Sequence, residues 1–517
     1  MTGTHDSRRI VIIGAGVGGL TTAALLAQAG YTVTVLEGQT YPGGCAGTFY
    51  HQGYRFDAGA TLAGGFQPGG PHAIVGEQLG IEWPIHPCEP AWVVHLPDRK
   101  VALTRDNADV LAKFPETEVF WREQNKIADL CWSLSGQGLP WPPTNLAELM
   151  QLAKVGLANF PADLKAIPFG LGTVSGWLKK HGLDTNSPFV RFIDAQLLIS
   201  AQTVSQSANG LYGATALDLA RQGVNHVEGG IGGLAETLVE KIHELGGHVL
   251  YRQRVTRIKV EGRQVTGVYA KKGIRATHEE FFPADFVVGN LTPWSLDHLL
   301  GEASPKNLRR EVAGHAAGFG AFVLHVGVED AKLPPNGADH HQIITSMEGP
   351  LGEGRSIFVS MSSSDSHRAP TGMRAVTITT HTAVQQWWDL LCQNPEAYQA
   401  QKDGYAERMI AAVDQALPGF RSSTQLLLPG SPVTYEFYTT RHLGMVGGFP
   451  MKSLFAARSP RTGIANLKLV GDSIFPGQST AGVTLGAIRV AKLVQHTLPI
   501  KQVHIYQRST LKESSST

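Results

Sequence analysis

The chain has 517 residues, 42% hydrophobic and 17% charged, and its 44 basic and 43 acidic residues leave a net charge of +1. So even a balance excludes the broad basic surface that nucleic-acid binding requires, and no nucleic-acid partner is expected. Four cysteines, Cys45, Cys88, Cys131 and Cys392, stand far apart with no CxxC spacing, which argues against a zinc ribbon and against a disulfide-stapled secreted scaffold.

The opening MTGTHDSRR is short and polar, unlike a signal or transit peptide. Ile10 to Leu36 then runs for 27 residues without a charge, long enough to cross a bilayer. Its punctuation argues otherwise. The spacing predicts a strand over Ile10–Ile13, a glycine turn, a helix over Leu20–Gln28 capped at Gly30, and a second, β-branched strand over Thr32–Leu36, which is a buried parallel βαβ unit.

Gly14, Gly16 and Gly19, with Gly18 between them, form G-x-G-x-x-G between strand and helix. Glu37 ends the second strand 18 residues later. In that context the first glycine permits the tight turn, the second admits a pyrophosphate, the third allows helix–strand packing, and the helix N-terminus favours phosphate charge. Glu37 is expected to accept from an adenosine ribose, which favours FAD or NAD over NADP. The alternative is a structural βαβ unit whose glycines only pack.

Further along come Pro42, Gly43 and Gly44, and then FDAGAT over 56–61. The stretch LMQLAKVGLANFPADLKAIPFGLGTVSGWLKK, with Trp177 and four lysines against one aspartate, suits a membrane interface or helices over a soluble core, broken at Pro161 and Pro168. Gly229, Gly230, Gly232 and Gly233 precede an amphipathic helix carrying Leu234, Leu238, Ile242 and Leu245 and closed by Gly246-Gly247, followed by strands HVLYRQRVTRIKV and QVTGVYA. GGIGGL here follows the polar NHVE rather than an apolar strand, so no second dinucleotide site is expected. GAFVLHVGV and SIFVSMSSSDSHRAPTGMRAVTITTHT read as strands of a pocket wall. Leu467–Val470 reads as a strand with Gly471 and Asp472 at its carboxyl end, where Asp472 is placed to meet a ribityl or pyrophosphate group. Thr480, Ala481, Gly482 and Val483 precede a helix running through Gly486 to Val494, and the amides of its first turn are free to face an electron-rich ring.

The VIIGAGVGGL opening, the E-x4-GG spacing of Glu37 with Gly43 and Gly44, Asp57-x-Gly59, GGIGGLAETLVEKIHELGGHVLYRQRVTRI, ADFVVGN, LVGDSIFPG and TAGVTLGA together resemble the carotenoid desaturase and isomerase flavoproteins, phytoene desaturase among them, with amine oxidases more distant. The resemblance implies FAD as cofactor and an α/β fold: a Rossmann-like FAD-binding domain with a parallel sheet, discontinuous over 1–70, 223–300 and 431–498, and an inserted α+β substrate domain. Substrate-binding and membrane-facing regions are then 71–222 and 301–430, with a tail over 499–517. It further implies Gly43 and Gly44 at the phosphates, Gly59, Ala60 and Thr61 with Asp57 shaping the approach to the flavin, Val255 pairing its backbone with adenine, and Asp472, Gly471, Gly482 and Val483 at the flavin end. Cys45-Ala46 departs from the family, where an arginine often meets the phosphates, so Cys45 reads as a marker of subfamily rather than a catalyst.

The implied substrate is an apolar carotenoid polyene, and the first reading is desaturation by hydride transfer to flavin N5. PGGCAGTF, FDAGAT and GGFQPGGPH most resemble the C-3′,4′ desaturases. A redox-neutral cis–trans isomerase using reduced FAD comes second and an amine-oxidase-like flavoenzyme third. No residue pair has the spacing of a catalytic dyad; Glu228, His226, His442 and Arg441 are the candidates for a base. Tyr435, Phe437 and Tyr438, within VTYEFYTTRHLGMVGGFP over 433–450, are candidates for an apolar site. His325, His340, His341, His367 and His381 lack metal-ligand spacing, and no metal is expected. The flavin's electron acceptor is expected to be a quinone or oxygen, and the enzyme to sit peripherally on the cytoplasmic side of a bacterial-type membrane.

Overall fold

The apolar run at the start of the chain forms the middle of a five-stranded parallel sheet, in a computed structural model that describes residues 8–500 except 161–164, 274, 316–317, 335–336 and 450–452. The MTGTHDS opening, Pro161, Pro450 and the tail past 500 lie outside the described residues. In spatial order the strands are Leu467–Val470, Phe286–Asn290, Arg9–Ile13, Thr32–Leu36 and His248–Leu250. Ile12 lies beside Val288 on one side and Val35 on the other, and all three are buried. Such strands are covered on both faces, so they read as continuous apolar runs. Helices Val17–Gln28, Gly233–Glu244 and Thr480–Thr497 share this core, as do Val75 and Leu79 of the helix Pro71–Leu79.

Two predicted boundaries move, for local reasons. The expected strand HVLYRQRVTRIKV is cut at Arg252, whose φ of +58° turns the chain. His248–Leu250 stays in the parallel sheet, while Gln253–Glu261 leaves it for a three-stranded antiparallel meander with Gln264–Lys272 and Glu279–Pro283. The last helix already includes Thr480 to Val483 in its first turn, because Ser479 caps it by accepting from the Gly482 amide.

A second, seven-stranded sheet has the order Thr424–Gly430, Phe319–Glu329, Met373–Ala383, Ser356–Met361, His340–Ile344, Trp92–His95 and Lys100–Leu103. Its last two strands come from early in the chain and join through a parallel pairing of Val93 with His341. NHVE, too polar to read as an apolar strand, instead contributes to the strand Val224–Val227, antiparallel to Ile85–Cys88. Its polar side chains are satisfied from distant segments, Asn225 by the Ala63 carbonyl and His226 by Asp339.

The amphipathic stretch after residue 145 breaks into helices Leu146–Asn159, Ile167–Leu171 and Val174–Lys180. Trp177 is not at the surface: it is buried and donates to Glu123. Leu146, Leu149, Met150, Leu157, Phe160, Ile167 and Leu171 are all more than half exposed. Among the described residues no helix is long and apolar enough to cross a membrane.

Candidate flavin and substrate site

The carboxyl ends of the parallel strands open into one cavity of about 2030 Å³. Ligand pockets usually measure roughly 300–1,000 Å³, so this one has room for two large ligands. One end is a glycine-lined cradle. Gly14 turns at φ +91°, and the Gly43 amide donates to the Ala15 carbonyl at 2.8 Å, laying the Gly43-Gly44 loop alongside Gly16.

Gly14, Gly16, Gly18, Glu37, Gly43, Gly44, Gly59, Ala60, Thr61, Val255, Gly471, Asp472, Gly482 and Val483 all line this cavity, so the structure brings together residues scattered over most of the chain. Gly19 stands behind the lining: a Cβ there would meet the Gly14 carbonyl at 2.5 Å, which fits the packing role expected of the third glycine. Glu37 is held at both oxygens, Oε2 accepting from the Ala15 amide at 2.7 Å and Oε1 from the Gln39 amide at 2.8 Å. Burial pushes its carboxyl above the ordinary range, opposed by those amides and by Arg254. Each oxygen keeps a lone pair for a further donor.

Asp57 turns out to be structural. It is buried outside the lining, accepts from Thr48 and the Ile231 amide, and pairs with Arg368 at 2.8 Å. Of the base candidates, Glu228 is exposed and His226 is bound to Asp339, and neither lines the cavity. Arg441 lines it but is an ion-pair partner, 2.8 Å from Asp472. Burial alone would favour loss of its proton, yet Asp472 and the neighbouring Cys45 and Tyr435 outweigh that and hold the guanidinium charged. His442 lines the cavity stacked on Trp294, 5.5 Å between centroids, and burial lowers its pKa, so it is a neutral imidazole at pH 7.

Phe437 and Tyr438 lie at the Glu37 end of the cavity, their carbonyls accepting from Arg254 and Gln39, away from the apolar end. Tyr435 is buried, with its hydroxyl against the space a Gly59 side chain would fill.

Several lining residues escaped the sequence reading. Asn290 lays its carboxamide where a Gly16 Cβ would be, 2.4 Å away. The side-chain oxygens of Gln253, Gln478 and Ser200 are buried in the wall without a hydrogen-bond partner. Asn290 closes the ADFVVGN motif, Gln253 lies within HVLYRQRVTRIKV and Gln478 directly follows LVGDSIFPG, but none of these three was singled out. Buried orphan acceptors are costly unless a ligand satisfies them.

Beyond the cradle the wall turns apolar, with Leu62, Trp132, Leu211, Phe358, Trp388 and Phe475 among its residues. The ion pair of Glu148 with Arg489, 2.9 Å, closes it on one side.

The model of the family described as flavin containing amine oxidoreductase matches residues 17–495. The chain belongs to this family. Its enzymes are FAD-dependent oxidoreductases, and the cradle fits that cofactor: a glycine-lined loop, a buried strand-end carboxylate, orphan acceptors at Gln253 and Gln478, and the Thr480 and Ala481 amides at a helix N-terminus. FAD is thus the cofactor, as the sequence implied.

Among curated proteins the chain is 29% identical over 504 residues to the chloroplastic prolycopene isomerase of Arabidopsis thaliana, covering 94% of this chain and 82% of that protein. It is 25% identical over 523 residues to the lycopene-forming phytoene desaturase of Paracoccus sp., covering 94% and 97%. In fold it resembles an oxidoreductase from Methanosarcina mazei, with a TM-score of 0.64 at 18% identity over 94% of this chain and 100% of that one.

In this flavoenzyme, Glu37→Gln replaces a two-sided acceptor by a group that must point an NH₂ at one of the two amides. The expected cost is about 1.5–3 kcal/mol in flavin affinity, that of a hydrogen bond to a charged group. Titration of the apoprotein with FAD, followed by quenching of flavin fluorescence, measures it.

Proposed function

We propose that this enzyme uses FAD to act on a carotenoid polyene, and that it rearranges double-bond geometry without net oxidation. The observation that carries the proposal is the single cavity in which a dinucleotide cradle runs on into an apolar wall, with volume for FAD and a second large apolar ligand. Similarity to prolycopene isomerases, 28–29% over 94–95% of the chain, exceeds that to the bacterial phytoene desaturases at 24–25%, which supports the isomerase reading. This reverses the order expected from the sequence alone.

In this reading the segments 1–70, 223–300 and 431–498 hold FAD. Gly14, Gly16 and Gly18 with Gly43 and Gly44 receive the pyrophosphate, Glu37 the ribose and the Val255 backbone the adenine. Gly59 to Thr61, Gly471, Asp472, Gly482 and Val483 serve the flavin end. Bound FAD supplies the capacity to give and take a hydride. The chain's own part is to position the polyene against it and to exclude water, and the apolar wall suits both tasks. Regions 71–222 and 301–430 supply most of that wall.

Desaturation is the second reading, favoured by His442, a neutral imidazole in the cavity able to take the proton that leaves with a new double bond. A quinone or oxygen would then reoxidise the flavin, and the C-3′,4′ bond suggested by the sequence is its finest form.

The exposed apolar helix face at Leu146, Leu149, Met150 and Leu157 flanks cavity-lining Trp141, Ala147 and Leu454. That supports peripheral attachment to a membrane surface, from which a lipid-dissolved substrate would enter.

Anaerobic incubation with cis- and all-trans-carotenes decides the matter. With pre-reduced flavin, the expected result is a change of polyene geometry at unchanged flavin redox state. Bleaching of oxidised flavin with a red-shifted polyene would instead establish desaturation, and the product would identify the bond. Inert carotenes together with an amine that bleaches the flavin would sink both readings.

A further inference from the structure

Away from the flavin cavity, three segments far apart in sequence converge on one small cluster. Cys88 ends the strand Ile85–Cys88, and His226 lies two residues along the partner strand from Val224, the residue opposite Cys88, so the two side chains are diagonal neighbours on one face. His340 opens the strand His340–Ile344 of the seven-stranded sheet, with its ring centroid 4.9 Å from that of His226. The Cys88 sulfur and one ring nitrogen from each histidine all lie within 4.8 Å of one another.

We propose that Cys88, His226 and His340 bind a zinc-class divalent cation that staples the 85–88/224–227 ribbon to the seven-stranded sheet.

Each histidine is already oriented from behind. His226 Nε2 meets Asp339 Oδ2 at 2.9 Å, which leaves Nδ1 for the cluster, and Asp339 is anchored in turn by Arg374. His340 Nδ1 meets Ser360 Oγ at 2.8 Å, while its Nε2 is buried without any hydrogen-bond partner in a residue only 1% exposed. A carboxylate or hydroxyl behind a ligating imidazole, fixing which nitrogen presents its lone pair, is the usual outer shell of a metal site. A bound cation would satisfy this buried Nε2. His72 and His325 also carry a buried unpartnered nitrogen, but among the described residues neither has a cysteine or second histidine placed to share a cation with it.

One thiolate and two imidazoles form a borderline-soft donor set that suits zinc better than magnesium or calcium. Metal–sulfur and metal–nitrogen bonds of about 2.3 and 2.0–2.1 Å place tetrahedral donors roughly 3.5 Å apart, so small side-chain rotations close the site. None of the three ligands lines the flavin cavity, although Phe358, stacked 6.4 Å from His340, does. The cation would therefore stiffen a wall of the substrate pocket and take no part in the redox step.

The test uses the full-length flavin-loaded protein, stripped with a chelator and titrated with Co²⁺. The expected result is uptake of one Co²⁺ per chain, with a thiolate-to-cobalt charge-transfer band and the d–d bands of a four-coordinate site, all displaced by Zn²⁺. Cys88→Ser should abolish the charge-transfer band, and His340→Gln should weaken uptake about tenfold or more while flavin stays bound. Exposed Cys392 is the control: Cys392→Ser should leave the band unchanged. If the substituted proteins fail to fold, zinc-edge X-ray absorption on the wild type decides, with one sulfur and three nitrogen or oxygen donors expected, two of them imidazole and the fourth a water. A charge-transfer band absent from the wild type, one that survives Cys88→Ser, or a sulfur-free zinc shell would overturn the proposal.

Discussion

Asp57→Ala is expected to cost about 3–5 kcal/mol of stability, the usual price of breaking a buried ion pair from one side. The Asp57 and Arg368 side chains are 4% and 9% exposed and 2.8 Å apart. Asp57 Oδ1 also accepts from Thr48 Oγ1 at 2.8 Å and from the Ile231 amide at 2.9 Å, and Thr48 in turn accepts from the Gly232 amide. Removing the carboxylate therefore strands a buried guanidinium and two donors that hold the turn before the helix Gly233–Glu244. Asp57→Asn keeps the acceptor but not the charge, so an intermediate loss is expected. In the double variant Asp57→Ala/Arg368→Met no charge is stranded, and part of the stability should return. Urea unfolding followed by circular dichroism measures all three. Equal losses for Asp57→Ala and the double variant would show that the ion pair is not the reason for the effect.

That result bears on what the sequence made legible. FDAGAT was recognisable as a motif, and Gly59, Ala60 and Thr61 do line the cavity, but its acidic residue points the other way, into the packing. A motif states that residues belong together; it does not state which of them face the ligand. The parallel sheet was readable because its strands are apolar on both faces and need no knowledge of partners. The place of Glu37 at the cavity edge was readable for a related reason, since a local strand–turn–helix unit sets it.

What escaped depends on distant partners. Val224–Val227 did not read as a buried strand because Asn225 and His226 are polar, and contacts from residues 63 and 339 make them acceptable inside one. Trp92–His95 joins the seven-stranded sheet by pairing with His340–Ile344, nearly 250 residues later, which no periodicity announces. Gln253 and Gln478 lie in or beside recognised motifs, yet nothing in those motifs singles them out; what marks them is an unpartnered buried oxygen, a property of the folded state. The same holds for Cys88, His226 and His340, which metal-ligand spacing rules could not connect because three strands, not one helix or knuckle, bring them together.

The cradle itself allows a matched test in which one chemical change has two different consequences. Gly43 and Gly246 both adopt left-handed angles, φ +108° and +81°, so alanine is strained at either position. That strain is about 1–2 kcal/mol for an L-residue. At Gly246, past the C-terminus of the helix Gly233–Glu244, a Cβ meets nothing within 4 Å, so the strain is the whole cost. At Gly43 a Cβ would lie 2.5 Å from Gly47 Cα and 2.6 Å from the Ala46 carbonyl oxygen, contacts with backbone that only a shift of the loop can relieve. Such a shift breaks the 2.8 Å bond from the Gly43 amide to Ala15 and pulls the loop from the Gly14–Gly16 turn. Gly43→Ala should therefore purify largely free of flavin, whereas Gly246→Ala should melt slightly lower with flavin at the wild-type ratio, as read from flavin against protein absorbance. Full flavin in Gly43→Ala would mean that the dinucleotide does not depend on this loop, and the phosphate-binding role of Gly43 and Gly44 would have to be abandoned.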